Sequence, residues 1–173
     1  MDWTAHPCAD VRYFSGTATY VTTLQLPEKT GDALGADYRY ELDLGDVRDV
    51  AEVTVNGRRY PVLWKTPFVL DVTDAVRGGI NALEIKVTNR WANRLIGDER
   101  QYAQDADWSV DNPWHLPLLA SIPVWIEKGE KSPTGRHAFA TARLWTATDA
   151  LLPSGLLGPV RCVVRCRGRR REW

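Results

Sequence analysis

VTVNGRRYPVLW, residues 53–64, sits at the centre of the stretch that decides the fold, Leu42 to Asn89. Val53 and Val55 alternate with polar neighbours, Asn56-Gly57 follows, and Tyr60, Val62 and Trp64 resume the alternation. Asn-Gly between two alternating apolar runs is a strong hairpin signal, because both residues tolerate φ > 0. Next comes PFVLDVTDAV, a strand with Phe68, Leu70 and Val72 on one face. Asp71, Thr73 and Asp74 break it into a short helical turn, which Gly78-Gly79 stop. In NALEIKVTN, from Asn81, residues Leu83, Ile85 and Val87 alternate with Glu84, Lys86 and Thr88, giving one buried and one wetted face.

Outward from this block the pattern continues. Tyr13 to Leu26 reads as a long strand, with Ala18, Tyr20, Thr22, Leu24 and Leu26 on one face; its Thr and Tyr content favours strand over helix. Pro27 to Asp37 is a loop. Tyr38 to Leu44 is a strand with Tyr38, Tyr40, Leu42 and Leu44 inward. Ala138 to Thr146 is a candidate strand, LLPSGLLGPV (151–160) a turn, and Val160 to Cys166 the last strand, with Val160, Cys162 and Val164 inward. Between them, Arg90 to about residue 135 loses the alternation. Asn93 to Tyr102 has room for a helical turn or two, and the rest is rich in Trp, Asp, Asn and Pro. A connection this long inside a compact domain is usually functional. Short strands, no long helix and no repeat predict an all-β, antiparallel jelly-roll sandwich with a long Trp-rich loop. The expected organisation is one domain over residues 1–166, followed by a disordered basic tail, 167–173.

Composition narrows the function classes. Of 173 residues, 44% are hydrophobic and 25% charged, as in an ordinary globular chain. No run of 18 apolar residues provides a membrane span, and MDWTAHPCADVRYF lacks the basic and apolar regions of a signal peptide. Residues 161–173 hold six arginines and one acid, leaving 16 basic against 21 acidic residues elsewhere. With no basic stripe in that body, a nucleic-acid partner is not expected. Cys162 and Cys166 would lie about 13 Å apart along a strand, too far to bond each other. Cys8, Cys162, Cys166 and the three histidines show no zinc spacing. Eight tryptophans fit either loops pinned by indoles or a platform for flat ligands such as sugar rings.

Three blocks carry a family likeness: YFSGTATY (13–20), the run from Leu42 to Glu99, and LLPSGLLGPVR (151–161). Together they resemble the C-terminal domain of enzymes similar to glycoside hydrolase family 106, the α-L-rhamnosidase type. A weaker likeness is to the sugar-binding domain of glycoside hydrolase family 2, through VTVNG, PFVLDVT, GINALEIKV and SGLLGPV. Both imply the galactose-binding-domain-like fold. Beyond GPVR the segment CVVRCRGRRREW departs from the pattern. In such enzymes the catalytic carboxylates sit in a separate (β/α)8 barrel of about 250 residues, for which this chain has no room. The resemblance therefore implies a non-catalytic accessory domain of a secreted or periplasmic parent. It would bind a polysaccharide or oligosaccharide such as a rhamnose-containing pectin, or pack on a glycoside hydrolase catalytic domain without binding sugar.

Several constellations are candidates for contact with sugar. Trp64 and Lys65 lie at a strand–loop junction, where they form either a stacking edge or a hydrophobic corner. Trp91, Asn93, Arg94 and Asp98 combine a stacking face with bidentate donors and acceptors for vicinal hydroxyls; alternatively, Arg94 and Asp98, at i and i+4, simply pair. Trp108 and Trp114 stand in an acidic loop where Asp105, Asp107 and Asp111 offer oxygen ligands. A structural calcium there is what the resemblance implies, since the EF-hand spacing is absent; a solvated loop is the other reading. Asp149 falls where family 2 domains carry an aspartate that reaches the neighbouring active site, although here the accompanying tryptophan is missing; turn capping is the alternative. No G-x-S-x-G, H-E-x-x-H, P-loop or G-x-G-x-x-G pattern occurs.

Overall fold

A computed structural model describes residues 1–28, 38–105 and 107–166, without the side chain of Cys166. Most of the predicted loop between Pro27 and Asp37, and the whole of the basic tail 167–173, lie outside the described residues. The chain divides into two compact units: Met1–Asp2 with Gly16–Asn89 and the segment from Ser154 onward, and Trp3–Ser15 with Arg90–Pro153.

The first unit is an antiparallel β-sandwich. Its strands are β1 (Thr17–Leu26), β2 (Tyr38–Asp43), β3 (Asp46–Arg48), β4 (Val50–Val55), β5 (Arg58–Arg59), β6 (Val69–Asp71), β7 (Gly79–Thr88), β10 (Gly155–Gly158) and β11 (Arg161–Cys166); β8 (Trp108–Ser109) and β9 (Leu118–Leu119) belong to the second unit. They form sheets ordered β1-β7-β4-β5, β11-β2-β6 and β10-β3. Asn56 and Gly57 take φ of 49° and 84°, the left-handed pair that a two-residue hairpin requires. The register then sets Val55 opposite Leu83, Val53 opposite Ile85 and Ala51 opposite Val87, and all six are buried. Tyr40, Leu42, Leu44, Phe68, Leu70 and Val72 are also buried, so the alternation correctly identified these inward faces.

Five expectations change. The strand expected from Tyr13 begins at Thr17; Ala9–Arg12 are α-helical (α1), and the Tyr13 N–H closes that turn on the Ala9 carbonyl at 2.9 Å. Residues 151–160 are not only a turn, because Gly155–Gly158 pair with β3. Residues 138–146 form no strand, only an Ala142–Leu118 bridge; side chains occupy the Ala138 backbone groups at the start of that segment. Of the three residues expected inward at the edge strand β11, Val164 and Val160, which precedes the strand, are exposed and Cys162 is partly covered. Finally, Trp64 is no buried corner. Leu63, not its neighbours, exchanges hydrogen bonds with Ala51 (2.8 and 2.9 Å), which turns Val62 and Trp64 outward.

The second unit is built on one helix, α2 (Ala92–Tyr102). The rest of it is a 3-10 turn at Trp3–Ala5, α1, another 3-10 turn at Ala103–Asp105, the two-residue strands β8 (Trp108–Ser109) and β9 (Leu118–Leu119), and α3 (Val124–Glu127). With so little regular pairing, side chains of α2 satisfy the backbone of the surrounding segments, as buried amides and carbonyls demand. Asn93 clamps Leu152 twice, donating to its carbonyl at 2.7 Å and accepting from its N–H at 2.8 Å. Arg100 donates to the Ala147 and Asp149 carbonyls at 2.9 and 2.7 Å. Gly97 lies against the Tyr13 ring so closely that a Cβ would stand 2.4 Å from its Cγ.

Candidate functional site

The charged side chains of α2 fix one wall of a cleft. Glu99, 3% exposed, accepts from Arg136 Nη2 at 2.8 Å and from Arg143 Nε and Nη2, each at 2.8 Å. Arg136 is itself buried and also donates to the Ala138 carbonyl at 3.0 Å and the Tyr102 carbonyl at 3.2 Å. The neighbouring Asp98 is 0% exposed, and its Oδ2 accepts from the His137 and Ala138 N–H groups at 3.1 and 2.7 Å. Residues 136–138 are therefore held at both side chain and backbone. Phe139 is fixed next to them: it stacks on Trp108 at 6.5 Å, meets Trp125 edge-on at 6.0 Å, and carries the Arg136 guanidinium 5.4 Å from its centroid.

His137, Ala138 and Phe139 form one side of a cavity of about 580 Å³. Asp10, Phe14, Ser15, Trp91 and Arg94 complete it. The Phe14 ring is braced edge-on by Trp3 at 5.5 Å. Trp91 is 72% exposed, so one large aromatic face is offered to solvent at the mouth. Arg94 Nη1 lies 3.5 Å from His137 Nδ1 and 3.8 Å from Asp98 Oδ1. Aromatic surfaces with a few convergent polar groups are what a small-molecule site requires. Here the groups are one carboxylate, one hydroxyl, one guanidinium and one imidazole. They can exchange hydrogen bonds with hydroxyls while a flat ring rests on the indole.

Of the residues singled out in the sequence, Trp91 and Arg94 line this cleft. Asp98 lies behind Arg94 and Asn93 is occupied by Leu152. Trp108 supports the cleft indirectly through Phe139. Trp114 is 72% exposed and belongs to the same unit but not to the lining. Trp64 and Lys65 belong to the first unit, where the Lys65 Nζ sits 5.3 Å from the Trp64 ring centroid. Asp149 caps a turn, accepting from the Thr146 N–H at 2.6 Å and hydroxyl at 2.9 Å, bonds that hold its carboxyl below the usual range. Of the calcium candidates, Asp105 accepts through Oδ2 from the Ser132 and Thr134 hydroxyls, and among the described residues no three His, Cys, Asp or Glu side chains converge as a metal site would need.

Asp10, Phe14, Ser15, His137 and Phe139 carry no local signal of this role. Glu99 does: on a 3.6-residue period it falls on the stripe of Ala92 and Ile96, so a helix here requires a buried partner for it.

The comparisons give the class of the chain: this is a glycoside hydrolase-related domain. It is 44% identical over 159 residues to a putative β-glucuronidase of Formosa agariphila, covering 92% of this chain and 13% of that protein. The rhamnosidase from Novosphingobium sp. PP1Y superposes with a TM-score of 0.64 at 34% identity, over 95% of this chain and 12% of that one. A Ruminococcus gnavus β-glucuronidase superposes over 50% of this chain and 14% of its own, at 19% identity and a TM-score of 0.43. The chain thus spans about an eighth of the length of the first two of these relatives. No family model matches it.

Proposed function

We propose that the chain is a non-catalytic carbohydrate-binding module of a glycoside hydrolase-type protein, taking a sugar unit of a polysaccharide or oligosaccharide in the cleft of the second unit. The observation that carries this reading is Trp91, exposed over a cleft whose polar members are Asp10, Ser15, Arg94 and His137. The indole stacks on the sugar face, and the polar groups read its hydroxyls. Relatedness to a rhamnosidase at 34% identity makes rhamnose-containing pectin the first polysaccharide to try. The parent protein is secreted or periplasmic on this reading, where such polymers are met.

Affinity electrophoresis in pectin-containing gels and calorimetry with oligosaccharides test it. Retardation of the chain is expected, with Trp91→Ala weakening binding about tenfold, roughly 1.4 kcal/mol of lost stacking. A chain unretarded by any glycan at millimolar concentration would sink the reading.

A second reading is a structural domain packed on a catalytic body. Val110, Trp114, Leu116, Ile122, Val124 and Leu144 in the second unit are each at least half exposed, and the relatives are several times longer than this chain. On this reading the isolated chain binds no sugar and associates with the remainder of such a protein.

A further inference from the structure

The cleft has two charged side chains in its lining, Asp10 and Arg94. They are not equivalent. Arg94 already has a counter-charge behind it. Asp98 is 0% exposed, and while its Oδ2 is spent on two backbone N–H groups, its Oδ1 accepts no hydrogen bond. That oxygen stands 3.8 Å from Arg94 Nη1 and 3.7 Å from His137 Nδ1. Asp10 is exposed on α1, and Arg94 is the one guanidinium that shares the lining with it.

Two further cations of this unit are already committed elsewhere. Arg136 and Arg143 share Glu99, and the remaining Arg136 donors are spent on carbonyls. Arg136 meets the lining through its bond to the Ala138 carbonyl and its place over the Phe139 ring, and Arg143 is not a lining residue.

An anion entering the cleft meets the Asp10 carboxylate and must compete with Asp98 for the one guanidinium. Like charges brought together in a binding site are costly, and a buried ion pair resists losing a partner. An uncharged sugar meets no such conflict. Adjacent hydroxyls donate to Asp10, and Arg94 donates to a hydroxyl oxygen without giving up its pairing with Asp98.

We infer that this cleft selects uncharged sugar units over uronate units, with Asp98 as the positioning residue that withholds Arg94 from anions. The inference rests on the carbohydrate-binding reading and names its ligand class.

Calorimetry with sugars that differ only at C6 tests it: methyl galactoside against methyl galacturonide, and methyl glucoside against methyl glucuronide, with methyl rhamnoside as a further uncharged probe. The neutral member of at least one pair should bind about tenfold more tightly than its uronate. Asp98→Asn should narrow that ratio by raising uronate affinity. Asp10→Asn should also narrow it, and serves if Asp98→Asn does not fold. A wild-type preference for uronate, or an unchanged ratio in both variants, overturns the inference while leaving the binding reading intact. If none of these sugars binds the wild type, this inference falls, and the pectin gels decide the broader reading separately.

Discussion

Replacing Glu99 by alanine should unfold the second unit in preference to the first. Glu99 is 3% exposed and is bonded to Arg136, whose side chain is 2% exposed, and to Arg143, at 33%. Removing the carboxylate strands the Arg136 guanidinium in the interior with only carbonyl acceptors. Breaking a buried pair by removing one partner costs about 3–5 kcal/mol, because the remaining charge is uncompensated. Arg143 adds little, since water reaches it once the acid is gone. The expected order of destabilisation is therefore Glu99→Ala, then Arg136→Met, then Arg143→Ala. In the middle variant Glu99 keeps one cation, and in the last it keeps the better-buried one. Urea unfolding gives the magnitude: at about 1–3 kcal/mol per molar, a loss of about 3 kcal/mol moves the midpoint by 1 M or more. Hydrogen exchange gives the location, with protection lost first at residues 136–139 and along α2. A midpoint shift under about 0.3 M for Glu99→Ala, or an Arg143→Ala variant as damaged as Glu99→Ala, would refute the claim that this pair organises the unit.

Other outcomes follow from single residues. Asn81, fully buried, accepts from Asn56 Nδ2 at 2.7 Å and the Arg77 N–H at 2.9 Å, and donates to the Arg77 carbonyl at 2.8 Å; Asn81→Ala should cost about 2–4 kcal/mol by leaving these groups unpaired, read as a urea midpoint shift in the first unit. The Asp149 carboxyl is held low by the Thr146 N–H and hydroxyl. Its contribution is present above the ordinary carboxylate range and is lost as pH falls through its depressed folded-state value. Exchange at Thr146 should accelerate over that acid window in the wild type but not in Asp149→Asn. Burial raises the Cys162 thiol, whereas Cys8 is exposed; peptide mapping after brief alkylation should find Cys8 modified ahead of Cys162.

The two units differ in how much of them could be read from the chain. The sandwich announces itself because a strand buried on one face must alternate, and the runs Tyr40–Leu44, Ala51–Val55, Phe68–Val72 and Leu83–Val87 face the core as their pattern says. The sequence misled where pairing depends on a distant partner. Gly155–Gly158 looked like a turn until Asp46–Arg48 supplied the other edge. The parity of Trp64 was set by a bridge between Leu63 and Ala51 rather than by continuation of the hairpin. In the second unit, Trp91 and Arg94 stood out as side chains suited to sugars. Their partners in the cleft come from residues 10–15 and 137–139, which share no period with α2, so no local pattern could assemble them.

The same contrast bears on how the cleft keeps its shape. A sheet can hold a site through its ladder of backbone bonds. The second unit has two-residue strands and places its polar groups through Asn93, Asp98, Glu99 and Arg100, four side chains of a single helix bonded to residues 136–138, Arg143, Asp149 and Leu152. Asp98 and Glu99, adjacent in sequence, hold residues 136–138 by different chemistry, one through backbone N–H groups and the other through a buried guanidinium. A buried charge is a poor source of stability compared with an apolar residue of the same size. What it gives in exchange is direction: a carboxylate shared between named donors admits few alternative packings. That is the property a wall needs if His137 and Phe139 are to face a ligand opposite Trp91, and it explains acids on the inner stripe of a helix where leucine would otherwise pack.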